Sequence, residues 1–286
     1  MSPRIFGILL FLLALLLFAI LDASAKYLTA FYAVPFLVWA RYAVHLVVML
    51  VAVAPSQGRA LIATRHPWLM VVRALLLCAL TLFAQLAFRV LPLAETTAIV
   101  FITPLLVALL AGPMLGETVT KKSWLATLAG FAGVMLITRP GSNLDPTGVA
   151  CALAGAVCYA LYQILTRRLA ASETPLRQLF YTALIGTLAM SLVLPGVWPA
   201  TLPTPFELLL LVGLGLCGGI GHFLLIRALR ETPASLLAPL LYVQLVWAAL
   251  LGWWVFGDVP DAWTALGMGI IGASGLSLVL GRRKKA

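Results

Sequence analysis

The chain has 286 residues, of which 63% are hydrophobic and only 10% charged, and its mean hydropathy is +1.09. Such a chain cannot clothe a water-facing surface of ordinary charge density, so it belongs in lipid. The formal charge of +10 comes from basic residues scattered in short gaps between apolar runs, which argues against a nucleic-acid surface, and the length leaves no room for a soluble domain of ordinary size beside ten spans of about twenty residues.

Apolar runs between charge or proline breaks predict helices over 4–26, 34–54, 68–90, 93–114, 123–139, 147–168, 175–195, 205–229, 233–255 and 261–281. The first run, with Arg4 before it and Ala23-Ser24-Ala25 at its end, has the outline of a cleavable signal peptide. It reads as a retained helix, because it has a counterpart later in the chain. Connectors such as Pro55-Ser56-Gln57-Gly58 and Arg139-Pro140-Gly141-Ser142-Asn143 carry the residues that stop helices. Cys78, Cys151, Cys158 and Cys217 lie inside apolar stretches without metal-site spacing and read as buried thiols.

With the N-terminus cytoplasmic, that side collects Arg4, Arg59, Arg65, Lys121, Lys122, Arg167, Arg168, Arg177, Arg230 and the tail Arg282, Arg283, Lys284 and Lys285. The other side collects Lys26, Arg89 and Arg139. Basic residues near span ends resist translocation, so both termini are expected inside. Trp68, Trp124, Trp198, Trp253, Trp254 and Trp263 fall at predicted span ends, where amphipathic rings favour headgroups; Trp39 and Trp247 sit deeper.

An offset of 141 residues aligns Ala87 with Ala228, Arg89 with Arg230, Pro92 with Pro233, Ala108-Leu109-Leu110 with Ala249-Leu250-Leu251, and Gly116-Glu117 with Gly257-Asp258. It also pairs Lys26 with Arg167 and Trp39 with Phe180. The fold class expected is therefore all-α and integral to the membrane, with ten transmembrane helices in two repeats, residues 1–141 and 142–286. Five is odd, so the second half enters from the opposite face, giving inverted repeats and a route to alternating access.

These residues resemble the drug/metabolite transporter superfamily, in its ten-helix branch with two EamA-like domains. The resemblance rests on the repeat, on Arg89-Val-Leu-Pro-Leu-Ala94, on Gly116-Glu117, and on Trp124 with Gly130-Phe-Ala-Gly133-Val. The second copy reads Arg230-Glu-Thr-Pro-Ala-Ser235, Gly257-Asp258 and Gly269-Ile-Ile-Gly272. It implies a central cavity with the fifth and tenth spans peripheral, and a multi-pass location in the bacterial inner membrane. Asp22 with Lys26, Arg41 and Arg73 resembles the branch holding riboflavin, S-adenosylmethionine and opine-metallophore transporters, without distinguishing among them.

Within spans, an unneutralised charge costs roughly 2.5–3.5 kcal/mol on insertion scales. Asp22 and Arg41 lie at depths that allow an ion pair, or else the binding of a charged substrate group or coupling proton. Gln163 occupies the offset position of Asp22, Gln244 that of Thr103 and His222 that of Thr81. Gln244, near the midplane with Tyr242 and Trp247, is the leading substrate contact, against the plain reading of a helix–helix hydrogen bond. Tyr159, Tyr162 and Gln163 offer stacking and hydrogen bonds to a planar ligand, although packing explains the tyrosines nearly as well; Gln85 and His45 complete the candidates. Arg73, Arg227 and Glu95 read as interface residues within snorkelling range. Gly213, Gly215, Gly218, Gly219 and Gly221 lie within an apolar helix with no strand before them and suit close helix packing or a flexible point, not a nucleotide loop.

A transporter is the first reading: a secondary one moving a small polar, anionic or zwitterionic metabolite, with a proton or solute gradient as its energy source. The rivals are an intramembrane enzyme and a non-transporting receptor or scaffold. Against an enzyme, no His, Glu or Asp cluster has metal spacing and no serine or cysteine has an evident base. Against a scaffold, the connectors are too short to offer a partner surface. The expected partners are the substrate and membrane lipid; no cofactor or nucleic acid is expected, and the oligomeric state stays open.

Overall fold

The computed structural model describes residues 3–115, 121–139, 143–169, 172–231, 240 and 242–281. Among them the regular structure is entirely helical. In chain order the main helices are α1 (Pro3–Leu28), α2 (Val34–Val48), α3 (Pro67–Val90), α4 (Leu93–Val100), α5 (Thr103–Leu115), α6 (Lys121–Ile137), α7 (Pro146–Leu169), α8 (Pro175–Ser191), α9 (Pro205–Glu231), α10 (Val243–Leu251) and α11 (Ala262–Gly281). Pro67, Pro146, Pro175 and Pro205 each open a helix, where a missing N–H costs nothing. The π turns Met49–Val53 and Gly252–Phe256 extend α2 and α10, and Gly257, at φ 72°, ends the second in the left-handed region.

Among the described residues five helices are long and apolar enough to cross a bilayer: 5–28, 34–61, 67–90, 146–169 and 205–225, each of 21 to 28 residues. Shorter apolar helices of 10–17 residues accompany them. The stretch expected as one helix over 93–114 is broken at Phe101–Ile102. Pro104 has no N–H to give the Val100 carbonyl, and the Thr103 hydroxyl donates to that oxygen instead, at 2.6 Å. Pro233, Ser235, Gly116, Glu117 and the basic tail from Arg282 lie outside the described residues.

The two halves interleave. Helix α1 packs along α9, α3 along α7, α2 against α8, and α6 along α11. Under the 141-residue offset α1 corresponds to α7 and α9 to α3, so the first two contacts are counterparts, and the last two each join a helix to its own counterpart. Phe101 and Tyr242, one offset apart, share a backbone conformation (φ −70°, ψ 2° and φ −69°, ψ −10°). Their rings meet at 6.0 Å. The α6–α11 crossing is held close by glycines: a Cβ on Gly133 would stand 2.8 Å from the Gly267 carbonyl oxygen.

Two interface expectations are corrected. Arg73 is 3% exposed and Glu95 6% exposed, so both are interior residues. Arg73 does not snorkel because four protein oxygens meet its guanidinium; Glu95 lies in the first turn of α4, within electrostatic reach of Lys26. Trp39 resolves to packing: its indole donates to Ser191 Oγ at 3.0 Å and its ring lies among Phe36 and Trp198.

Candidate functional site

Helix α1 carries Asp22 and α10 carries Gln244. Gln244 Nε2 donates to Asp22 Oδ2 at 3.3 Å, across 222 positions of sequence. On α2, Arg41 and His45 stand one helical turn apart on a common face. That face rests on the glycine run of α9: a Cβ on Gly215 would come 2.5 Å from Val44 Cβ, one on Gly218 3.4 Å from Arg41 Nε, and one on Gly219 3.1 Å from His45 Cδ2. The run therefore serves close packing. Arg41 lies within electrostatic reach of Asp22, yet among the described residues it makes no ion pair or hydrogen bond; its nearest recorded partner is the Tyr42 ring, 5.8 Å from the guanidinium carbon.

Arg41, His45, Thr182 and His222 line a cavity between α2, α3, α8 and α9, with Leu77 and Gly218 in its wall. Arg41 and Thr182 are one offset apart, as are Leu77 and Gly218. The cavity holds about 10 Å³, room for about one water molecule. His45 is 6% exposed and its Nε2 has no hydrogen-bond partner among the described residues. His222 packs its ring on Phe18 at 5.0 Å.

Beside the cavity, Arg73 fastens α3 to α7 and α8. Its Nε donates to Thr166 Oγ1 at 2.7 Å, Nη1 to Thr182 Oγ1 at 2.9 Å and the Gln178 carbonyl at 3.1 Å, and Nη2 to Tyr162 Oη at 2.8 Å. The guanidinium also lies 4.5 Å from the centre of the Tyr162 ring. Tyr162 in turn stacks on Tyr159 at 5.9 Å. Gln163 is half-buried on the next position of α7 and has no hydrogen-bond partner among the described residues. Gln85 is 2% exposed on α3, and among the described residues neither of its amide heavy atoms is hydrogen-bonded.

The structure thus gathers Asp22 with Gln244, and Arg41 with His45 and His222. Tyr242 packs on Phe101 and against the core cluster shared by α4, α5, α6, α7, α10 and α11, and Trp247 is half-buried farther along α10. Sequence reasoning missed Thr182; Tyr162, read from sequence as a possible ligand contact, is instead bonded to Arg73. The offset signalled Thr182, since it is the counterpart of Arg41.

Both ends of the bundle are tied. At the C-terminal end of α3, Lys26 Nζ donates to the Leu91 and Phe88 carbonyls at 2.6 and 3.3 Å and lies 3.8 Å from Asp258. Tyr32 Oη there donates to Glu207 Oε2 at 2.9 Å. At the N-terminal end of α3, Glu173 is 3% exposed and accepts from Thr64 Oγ1 at 2.6 Å, from the Arg65 amide at 3.0 Å, and from Arg177. Burial pushes the Glu173 carboxyl up, but these donors outweigh it and hold it below the usual carboxylate range. The Arg139 guanidinium and the Thr264 amide hold Asp261, before α11, at about 2.

A bundle of apolar helices, several long enough to cross a bilayer, that buries polar groups without partners among the described residues defines a polytopic membrane protein. A profile of the EamA-like transporter family matches twice, over residues 5–139 and 146–280. The chain belongs to that family: it is an integral membrane transporter and not an enzyme. It is 28% identical to an S-adenosylmethionine uptake transporter of Rickettsia prowazekii over 97% of this chain and 94% of the relative. It is 30% identical to a riboflavin transporter of Vibrio cholerae, over 93% and 90%. It is 26% identical to a pseudopaline exporter of Pseudomonas aeruginosa, over 98% and 97%. A crystal structure 23% identical in sequence shares the fold, with a TM-score of 0.69 over 98% of this chain and 99% of that one. Among the described residues no cluster of His, Cys, Asp or Glu could hold a metal ion.

Proposed function

We propose that the chain is a secondary transporter of a small polar metabolite, working by alternating access around Asp22, Gln244 and the cavity of Arg41, His45 and His222. Ten spans in two inverted halves, residues 1–141 and 142–286, with both termini cytoplasmic in a bacterial inner membrane, complete the reading. It is supported by the double family match, by the interleaved contacts and by the basic residues on one side. The observation that carries it is the Asp22–Gln244 bond, a polar contact inside the bundle between the two halves. Gln85, Tyr159 and Gln163 are proposed as further substrate contacts, and Tyr242 and Trp247 as contacts made when the halves move. The solutes named for its relatives, S-adenosylmethionine, riboflavin and pseudopaline, head the panel to test.

Purified protein in liposomes is expected to move at least one solute of a broad metabolite panel faster than empty liposomes do, with imposed proton and solute gradients reading direction. Gln244→Ala is expected to slow that flux several-fold, since a helix–helix hydrogen bond within a membrane contributes roughly 0.6–1.7 kcal/mol. A panel with neither flux nor thermal stabilisation would refute the reading.

A further inference from the structure

We infer that the protein carries a site for the phosphate of an anionic membrane lipid, in a cavity at the N-terminal end of α3 and separate from the polar groups inside the bundle. The cavity holds about 440 Å³ between the α2–α3 connector and the start of α8, and Thr64, Arg65, Ser172, Thr174 and Arg177 line it. That volume lies in the range of small-ligand sites. One wall belongs to the segment 5–139 and the other to 146–280, so a group bound there touches both halves of the chain.

Charge sets the sign of the ligand. Glu173 brings one carboxylate to this end, and Thr64 Oγ1, the Arg65 amide and Arg177 already engage it. Two guanidiniums against one carboxylate leave the cavity short of a negative charge. Arg177 is fixed in place, because its Nε donates to the Ala60 carbonyl at 2.8 Å and its Nη1 to Glu173. Arg65 is exposed, and among the described residues its guanidinium has no ion pair or hydrogen bond. The Thr174 hydroxyl accepts from the Arg177 amide at 3.3 Å, which leaves its proton to donate. Two planar forks with a hydroxyl donor between them suit the oxygens of a phosphate. The rim names the source. Ile62 and Trp68, on either side of Thr64 and Arg65 in sequence, are exposed, as befits acyl chains beside an indole at headgroup level. A free phosphate has no use for an apolar rim, whereas basic pockets at helix ends hold anionic headgroups in this way. Held between Arg65 and Arg177, the phosphate joins the α2–α3 connector to α8 and adds to the Glu173 contacts.

The test follows thermal unfolding of the full chain in nanodiscs of phosphatidylcholine alone, with added phosphatidylglycerol, or with inorganic phosphate at matched ionic strength. Native mass spectrometry counts the lipid retained. Phosphatidylglycerol is expected to raise Tm by roughly 2–4 °C, and inorganic phosphate to leave it unchanged. Arg65→Gln is expected to weaken retention of phosphatidylglycerol about 5-fold and to remove most of the rise in Tm. Arg89→Gln, which deletes an exposed arginine at the opposite end of α3, is expected to keep both. Arg65→Lys holds the charge without the fork and should fall between; it decides the matter if Arg65→Gln fails to fold. Equal Tm in the two lipid compositions, or equal losses in the Arg65 and Arg89 variants, overturns the site. Stabilisation by inorganic phosphate as large as that by phosphatidylglycerol overturns the lipid as its source. No arm reads transport, so each outcome stands apart from the transporter reading.

Discussion

Arg73 shows how a charge is kept inside this bundle without a carboxylate. Thr166 and Thr182 donate their hydroxyls to the carbonyls of Tyr162 and Gln178, at 2.7 and 2.8 Å. That leaves their oxygen lone pairs for the guanidinium, whose planar fork reaches three side chains and a carbonyl together. Arg73→Leu is expected to lower stability by about 2 kcal/mol, from four interhelical bonds of roughly 0.6 kcal/mol each. Arg73→Lys should recover only part of it, since an ammonium cannot match the fork; unfolding in detergent measures both. The sequence placed Arg73 by its distance from a span end, and distance along one helix says nothing of the hydroxyls on two others. Asp22 and Gln244 were legible as candidates for the same local reason, while their contact, spanning both halves, was not.

At the scale of elements, the offset turns two ordinary loop contacts into a pair. Tyr32 and Glu173 are one offset apart, and so are His66, beside Thr64 and Arg65, and Glu207. The Tyr32–Glu207 bond and the Glu173 cluster are therefore counterparts, each joining the end of one helix to the start of a helix from the other half. They sit at opposite ends of α3, whose 24 residues span about 36 Å. Glu173 is buried and charge-paired, so Glu173→Gln is expected to cost roughly 1.5–3 kcal/mol. Its carboxyl is held below the ordinary value of 4.5, so its contribution is full above that pH and fades as pH falls through the lower folded value. Melting followed from pH 7 down to pH 3 should show the wild type losing part of its advantage over the Gln variant only below about 4.5. Helix limits were largely legible because proline marks their starts. The break at Phe101–Ile102 was not anticipated, because composition stays apolar across it and only the missing N–H of Pro104 marks it.

For the whole molecule, the two ties and the small cavity describe one closed arrangement. A site with room for about one water cannot hold a metabolite unless α2, α3, α8 and α9 part, and a cavity suited to a small ligand runs to several hundred Å³. If the halves rock about the seam of Phe101 and Tyr242, opening one end must release its tie while the other persists. Cysteine pairs at Tyr32 with Glu207, and at Thr64 with Glu173, in a chain whose four native cysteines are replaced by alanine, test this with a short reducible cross-linker. Cross-linking either pair is expected to stop flux, and reduction to restore it. With Thr182→Cys as a reporter in the cavity wall, a water-soluble maleimide should reach it only from the end left free. Flux that continues with both ends fixed would mean that solute moves without the halves separating, and rocking would then be the wrong motion for this fold.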